Sequence, residues 1–363
     1  MPTQQEAILN LLQAVTELSH EFGTADYIHG GGGNTSGKDT ETLWIKPSGT
    51  TLGGLTPESL VAVDRRKLAE IYKAIPPADP AAREAIIKET MMAAVRPGQS
   101  ARPSVETPLH DSLPGTFVVH THPALVNGMT CAKGGVDTCR LLFPRALWID
   151  YVDPGYVLCM RVREDIASYR QRHGRLPEAV FMENHGVLVA GQTPQGIRDT
   201  YAEIMERLRE QYRQSGISTE LDETSAPTPE ITKALTKRLG ELPDAEETTC
   251  VSPGGSFAVM QGALSPDHIL YAGPCPLVGE PTVEAFSSFR SAYGCAPRVT
   301  ACEAGVFGLG PARKVAELAM EFARDGALIV QLAEAFGGVQ YMSDRARDFI
   351  VNWEVEVYRA KQI

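Results

Sequence analysis

The chain has 363 residues, enough for about two domains that each bury a core. It carries 34 basic and 45 acidic residues, a formal net charge of −11, with no Lys/Arg-rich block, so nucleic acid and anionic membranes are set aside as partners. The opening Met1-Pro2-Thr3-Gln4-Gln5-Glu6 lacks a basic, apolar leader, no apolar run reaches spanning length, and 7 scattered cysteines form no C-x-x-C pair; a cytoplasmic protein with reduced thiols and no cysteine-based zinc site is expected.

From the N-terminus, Ile8, Leu11, Leu12, Val15 and Leu18 recur at helical spacing, which predicts an amphipathic helix over 5–21 with a core-facing stripe. The next stretch is His29-Gly30-Gly31-Gly32-Gly33-Asn34-Thr35-Ser36-Gly37-Lys38-Asp39. Its glycines let the backbone approach a ligand and turn successive N–H groups into an anion nest, while Asn34, Thr35, Ser36 and Lys38 add donors and charge. Gly32 to Lys38 also spells G-x-x-x-x-G-K. Asp39, however, stands where a nucleotide P-loop needs Ser or Thr, and Thr42-Leu43-Trp44-Ile45 reads as a strand and not a helix, so that reading is rejected. Two readings remain open: a phosphate cradle of another kind, or a glycine-rich hairpin with strands near 26–29 and 42–46. Lys46-Pro47-Ser48-Gly49-Thr50-Thr51 is a turn with further small donors, Leu60 to Asp64 reads as a strand, and 80–96 as a helix.

Glu106, in Pro103-Ser104-Val105-Glu106-Thr107-Pro108, is either a helix N-terminal residue favoured by the macrodipole or a metal ligand or base. Phe117-Val118-Val119-His120-Thr121-His122-Pro123 is apolar and β-branched up to two histidines at i and i+2, with proline ending the ladder. On a strand such a pair shares one face with Cα atoms about 6.5 to 7 Å apart, so both imidazoles can converge on one ion. Ala146–Tyr151 and Ala179–Met182 read as strands around a helix over 157–172. Asn184-His185-Gly186 is a tight turn into Val187–Ala190, a good position for a third nitrogen ligand. Thr193-Pro194 starts a helix with Ile197, Tyr201, Ile204, Leu208 and Tyr212 on one face. Residues 216–229 are polar and rich in Pro, Thr, Ser and Glu, 230–240 is helical, and the rest, ending in a helix with Phe349, Ile350, Trp353, Val357 and Tyr358, forms a small α+β unit. The expected division is 1–215, a linker and helix over 216–244, and 245–363.

The ordered set Gly-Asn-Thr-Ser, Pro-Ser-Gly-Thr, Ser-Val-Glu, His-Thr-His-Pro and Asn-His-Gly resembles the class II aldolase/adducin family over roughly residues 5–215. The likeness is closest to its sugar-phosphate aldolases of the L-rhamnulose-1-phosphate and L-fuculose-1-phosphate type, in particular the aldolase halves of chains that continue into a short-chain dehydrogenase. Ser265-Pro266-Asp267-His268-Ile269 through Gly305–Gly310 resembles the segment between those two enzymes; with no dehydrogenase following, no nicotinamide site is expected.

The resemblance implies an α/β fold in α+β layers, with a central, mostly antiparallel sheet flanked by helices and a smaller C-terminal unit. It makes His120, His122 and His185 ligands of a catalytic zinc, or of another divalent ion in its place, and Glu106 a ligand or neighbour of the metal and the general acid/base. A base of this kind calls for a pKa raised toward neutrality by burial. Asn34, Ser48, Gly49 and Ser104 match positions that hold the substrate phosphate, and Gly33, Ser36 and Lys38 join them by adjacency. The implied reaction is cleavage of a ketose 1-phosphate to dihydroxyacetone phosphate and a small aldehyde, in a homo-oligomer, a tetramer by resemblance. Sister chemistries on the same site are 4-epimerisation or decarboxylation of a sugar phosphate or phosphorylated acid, and a non-catalytic adducin-like interaction module is the rival of another class. One departure stands out: the fuculose-phosphate enzymes use a tyrosine from a neighbouring subunit as proton donor, and no clear counterpart lies between His122 and Trp148.

Overall fold

A computed structural model describes residues 3–240 and 250–353. The chain divides into two compact units: one lies within Met1–Val126 and Val136–Leu208 with Trp353, the other within Asn127–Gly135 and Arg209–Asn352. Val357 and Tyr358 of the expected C-terminal helix, and the expected boundary at 244/245, fall outside the described residues.

The first unit is a mixed α/β layer structure. Its strands are β1 (Asn34–Lys38), β2 (Thr42–Ile45), β3 (Val61–Asp64), β4 (Phe117–Thr121), β5 (Leu147–Ile149), β6 (Val180–Met182) and β7 (Gly186–Gly191). They form a 7-stranded sheet in the order β3-β2-β1-β4-β7-β6-β5, antiparallel except for the β5–β6 pair. Helices α1 (Gln4–Glu21), α2 (Arg65–Leu68), α3 (Pro80–Ala94), α4 (Thr107–Ser112), α5 (Ala124–Thr130), α6 (Gly135–Leu142), α7 (Tyr156–His173) and α8 (Pro194–Gln214) follow the predicted order where the periodicity was strong. α1 starts on a capping box in which Thr3 and Glu6 each accept from the other's backbone N–H.

Alternation along β4 sorts the core. Val118 packs with Leu109 of α4 and with Leu158, Val162 and Ile166 of α7. Val119 and Thr121 face the other way, where the Tyr201 hydroxyl of α8 donates to Val119 O and accepts from Thr121 Oγ1. A third cluster joins Leu43, Ile45, Val61 and Val63 of β2 and β3 to Ile87 and Met91 of α3. His120 therefore points to the α4 and α7 side, at the strand's C-terminal end.

The hairpin reading of the glycine-rich stretch is corrected by the structure. No strand forms at 26–29; instead Asn34–Lys38 is itself a fully buried strand, paired with β2 on one side and β4 on the other. Only Gly30–Gly33 remains loop. The polar side chains of β1 are tolerated in the interior because each has a buried partner: Thr35 Oγ1, for instance, lies 2.6 Å from Ser19 Oγ on α1.

The second unit is α+β. Strands β8 (Cys250–Gly254), β9 (Leu277–Val278), β10 (Val299–Cys302) and β11 (Gly305–Gly310) form a 4-stranded sheet in the order β8-β11-β10-β9. Its helices are α9 (Pro229–Leu239), α10 (Pro266–Ala272), α11 (Val283–Tyr293), α12 (Arg313–Ala333) and α13 (Asp344–Asn352). α12 lies so close to β11 that a Cβ on Gly308 would come within 2.2 Å of Ala316 O. The polar stretch after α8 is pinned down: Glu223 pairs with Arg324 of α12 at 2.8 Å and accepts from Gly255 N, and Gln331 Nε2 donates to Ser218 O and Glu220 O.

Candidate metal and catalytic site

Register brings the site together. His120 of β4 pairs directly with Asn34 of β1 on one side and Leu188 of β7 on the other. Directly opposed residues share a sheet face, so the Asn34 carboxamide lies beside His120. β4 and β7 are antiparallel, with Thr121 opposite Val187, so the β6–β7 turn falls at the end of β4, where His122 follows the strand. That turn carries His185. Asn184 before it has φ 51°, the one positive value for a non-glycine among the described residues, a left-handed conformation that asparagine accepts more readily than most. Gly186 after it is obligatory: a Cβ there would sit 2.5 Å from Thr121 O and 2.6 Å from His122 Cδ2.

The three imidazoles form a closed triangle, with ring centroids 4.7 Å (His120–His122), 5.0 Å (His120–His185) and 5.1 Å (His122–His185) apart. One nitrogen from each lies within 4.8 Å of the others. Glu106 stands at the N-cap position of α4 without capping it; its side chain turns to the histidines. Oε2 accepts from Asn34 Nδ2 and lies 2.8 Å from His120 Nδ1, while Oε1 is 3.7 Å from His185 Nε2.

An ionised carboxylate only accepts, so Nδ1 of His120 carries the proton and Nε2 presents its lone pair. That lone pair faces His122 Nε2 at 3.0 Å. Two imidazole nitrogens converging in this way, one oriented by a carboxylate behind it and a third ring beside them, suit a divalent ion of the zinc type, and this carboxylate–histidine arrangement is the usual support of such a ligand. Three nitrogens leave room for substrate oxygens.

The electrostatics of Glu106 depart from the expectation of a raised pKa. Burial pushes the carboxyl up, but the imidazoles of His120, His185 and His110 outweigh it and hold the group well below the usual carboxylate range. Burial likewise pulls His110 down to about 3, against the opposing pull of Glu106.

The residues expected at a phosphate are placed in two groups. Ser48 and Gly49 lie in the turn after β2, with Ser48 N donating to Arg102 O and Gly49 at φ 81°. Gly33, at φ 63°, packs against His120 O, and Ser104 Oγ accepts from Glu106 N at 3.2 Å. Asn34, Ser36 and Lys38 form the second group: they alternate on the face of β1 turned to Glu106 and α4. Ser36 Oγ lies 2.8 Å from His110 Nδ1, and Lys38 Nζ donates to His110 O and Leu113 O. Two polar residues escaped the sequence reading. Lys46, buried, donates from Nζ to Gly31 O and Thr50 O and so ties the glycine loop to the Ser48 turn. His110 is the other, and the only clue to it was its position four residues after Glu106 on one helix face.

Fold and site define an α/β protein with a three-histidine cluster, two rings buried and one half-buried, at the end of a mostly antiparallel sheet. The family model of the Class II Aldolase and Adducin N-terminal domain matches residues 13–212, and the chain belongs to that family. It is 31% identical over 175 residues to the "Uncharacterized oxidoreductase YuxG" of Bacillus subtilis (strain 168), a match over 45% of this chain that spans only 24% of that protein. Among solved structures it is similar to the N-terminal class II aldolase domain of a conserved protein from Thermoplasma acidophilum, with 24% identity, coverage of 55% of this chain and 92% of that one, and a TM-score of 0.47. The L-fuculose-1-phosphate aldolase of Thermus thermophilus is 15% identical, with coverage of 56% and 94% and a TM-score of 0.37. Among the described residues no helix is long and apolar enough to cross a membrane.

Proposed function

We propose that the protein is a metal-dependent aldehyde-lyase that cleaves a ketose 1-phosphate to dihydroxyacetone phosphate and a small aldehyde. The observation that carries this reading is the triangle of buried His120 and His185 and half-buried His122 with the Glu106 carboxylate against it, in a chain of the class II aldolase family. Those histidines, with Glu106 at the edge, would hold zinc or another divalent ion, which when bound supplies Lewis-acid stabilisation of the negative charge that develops on the substrate oxygens.

The protein's own groups do the rest. The Gly30–Gly33 loop and Gly49 offer backbone N–H groups to the phosphate and Ser48 and Ser104 their hydroxyls, with the Lys46 ammonium behind them. In cleavage the C4 hydroxyl loses its proton to solvent, the C3–C4 electron pair stays with the phosphate-bearing fragment, and one proton taken up from solvent is delivered to C3, which completes dihydroxyacetone phosphate with no net change in protons. Glu106 carries the proton at C3 through Oε1, because Oε2 is already engaged by Asn34 and His120. Holding the carboxylate ionised at rest suits the base role in the reverse, condensing direction.

The test is a screen of ketose 1-phosphates with the zinc-loaded full chain, reading dihydroxyacetone phosphate by a coupled reductase. Release of that product is expected with at least one substrate. A 4-epimer or carbon dioxide as the product would replace the lyase reading by the sister chemistry, and no turnover with stoichiometric metal bound would overturn it.

A further inference from the structure

The helix that presents Glu106 cannot hold itself in place. α4 has 6 residues, far short of the length at which a helix is stable alone, and the Ser112 hydroxyl serves only one of its last carbonyls, Leu109 O. Its partners come from outside. Lys38 Nζ donates to His110 O at 2.5 Å and to Leu113 O at 2.6 Å, which is how a lysine caps a helix C-terminus. Ser36 Oγ holds the His110 ring at 2.8 Å, and Asn34 Nδ2 holds the Glu106 carboxylate itself. On the outer side the Tyr72 hydroxyl reaches Pro108 O at 2.7 Å, and Asp111 is clamped by Tyr72 and Arg65.

Asn34, Ser36 and Lys38 thus act as a rack along β1, each gripping a different point of the segment from Glu106 to Leu113. Ser36 is 1% and Lys38 6% exposed. A phosphate dianion could reach them only by stripping Lys38 from two carbonyls in a dry interior, which leaves both carbonyls unpaired there.

We propose that Ser36, Lys38 and His110 are positioning residues: they fix α4, hence the Glu106 carboxylate, hence through Oε2 the ring of His120, and they do not take the substrate phosphate. This rests on the reading of Glu106 as proton carrier and deepens it.

The test uses the full chain with Ser36→Ala, Lys38→Met, His110→Leu and His110→Asn. Three quantities are measured: Co²⁺ affinity from its absorption band, affinity of the metal-free protein for inorganic phosphate, and kcat and KM. Loosening a carboxylate that orients a histidine ligand lowers metal affinity by about 10- to 100-fold, so Ser36→Ala, Lys38→Met and His110→Leu are expected to weaken Co²⁺ at least tenfold and to lower kcat similarly. KM and phosphate affinity should stay within about twofold, and His110→Asn, which keeps a polar atom near the Nδ1 position, should recover part of the loss. Phosphate affinity falling tenfold with Co²⁺ affinity intact would overturn the proposal, as would all three quantities remaining at wild-type values. Should Lys38→Met fail to fold, Ser36→Ala, which removes one hydroxyl, decides alone. A wild-type chain inactive on every ketose 1-phosphate would defeat the functional reading, while the Co²⁺ and phosphate measurements would still decide the positioning claim.

Discussion

Gly186→Ala isolates the geometry of the histidine cluster from its chemistry. The added methyl would lie 2.5 Å from Thr121 O and 2.6 Å from His122 Cδ2. Thr121 pairs with Val187 in the β4–β7 ladder, so its carbonyl cannot retreat; the His185–Gly186 turn and the His122 ring are the parts that must yield. Backbone strain is not at issue, since Gly186 is absent from the residues with positive φ. Overpacking of this kind costs about 1–3 kcal/mol in stability. The larger effect falls on metal affinity: moving one of three nitrogens is worth at least the roughly 10- to 100-fold that a displaced ligand support costs. Competitive zinc titration against a chromophoric chelator measures it, with Gly191→Ala as the control, whose methyl meets nothing closer than 3.2 Å, at the end of the Ile197 side chain. If Gly186→Ala binds zinc as tightly as the control, the three rings do not act as one site and the reasoning fails.

Further outcomes follow from the same contacts. Glu106→Gln keeps a neutral hydrogen-bonding group beside His120 while removing the proposed proton carrier, so turnover should drop by about 10²- to 10⁴-fold with metal content at saturating zinc, measured by elemental analysis, largely retained. His110, pulled down to about 3 by burial against the raising influence of Glu106, binds its extra proton only in the unfolded chain between pH 6.5 and 3. Its contribution to stability is therefore complete above the unfolded pKa and is lost by about 1.4 kcal/mol per pH unit as pH falls through that window. Denaturant titrations of the metal-free protein should accordingly show a shallower acid loss for His110→Asn, and an unchanged slope would refute the assignment. Tyr201→Phe removes a fully buried hydroxyl that serves Val119 O and Thr121 Oγ1 and should cost about 1–3 kcal/mol by thermal unfolding, without altering zinc affinity.

How far the sequence foretold the molecule depends on the range of the interactions. Strong local periodicity placed α1, α3, α7, α8 and the strand ending in His120 to within a few residues. β1 was invisible because Asn-Thr-Ser-Gly-Lys has no apolar alternation; it is a central strand only because its polar side chains find partners 72 and 74 residues away, on α4 and the residue before it. The same distance explains Lys38. No local pattern signals that its ammonium lies on the carbonyls of His110 and Leu113, 72 and 75 residues away. Glu106 illustrates the converse: its position at the start of a helix was readable, but the choice between capping the helix and serving the histidines was made by Asn34 and His120, which the chain brings in from either side. The direction of its pKa was likewise hidden, since burial alone argues for a rise and only the surrounding imidazoles reverse it.

The central claim is most directly tested by measuring metal content and dihydroxyacetone phosphate release on one preparation of the full chain, before chelation, after it, and after zinc is returned. The account predicts about one zinc per chain, with turnover lost and regained in proportion to the ion held by His120, His122 and His185. Turnover that survives complete metal removal, or a lysine adduct trapped by borohydride in the presence of substrate, would contradict it.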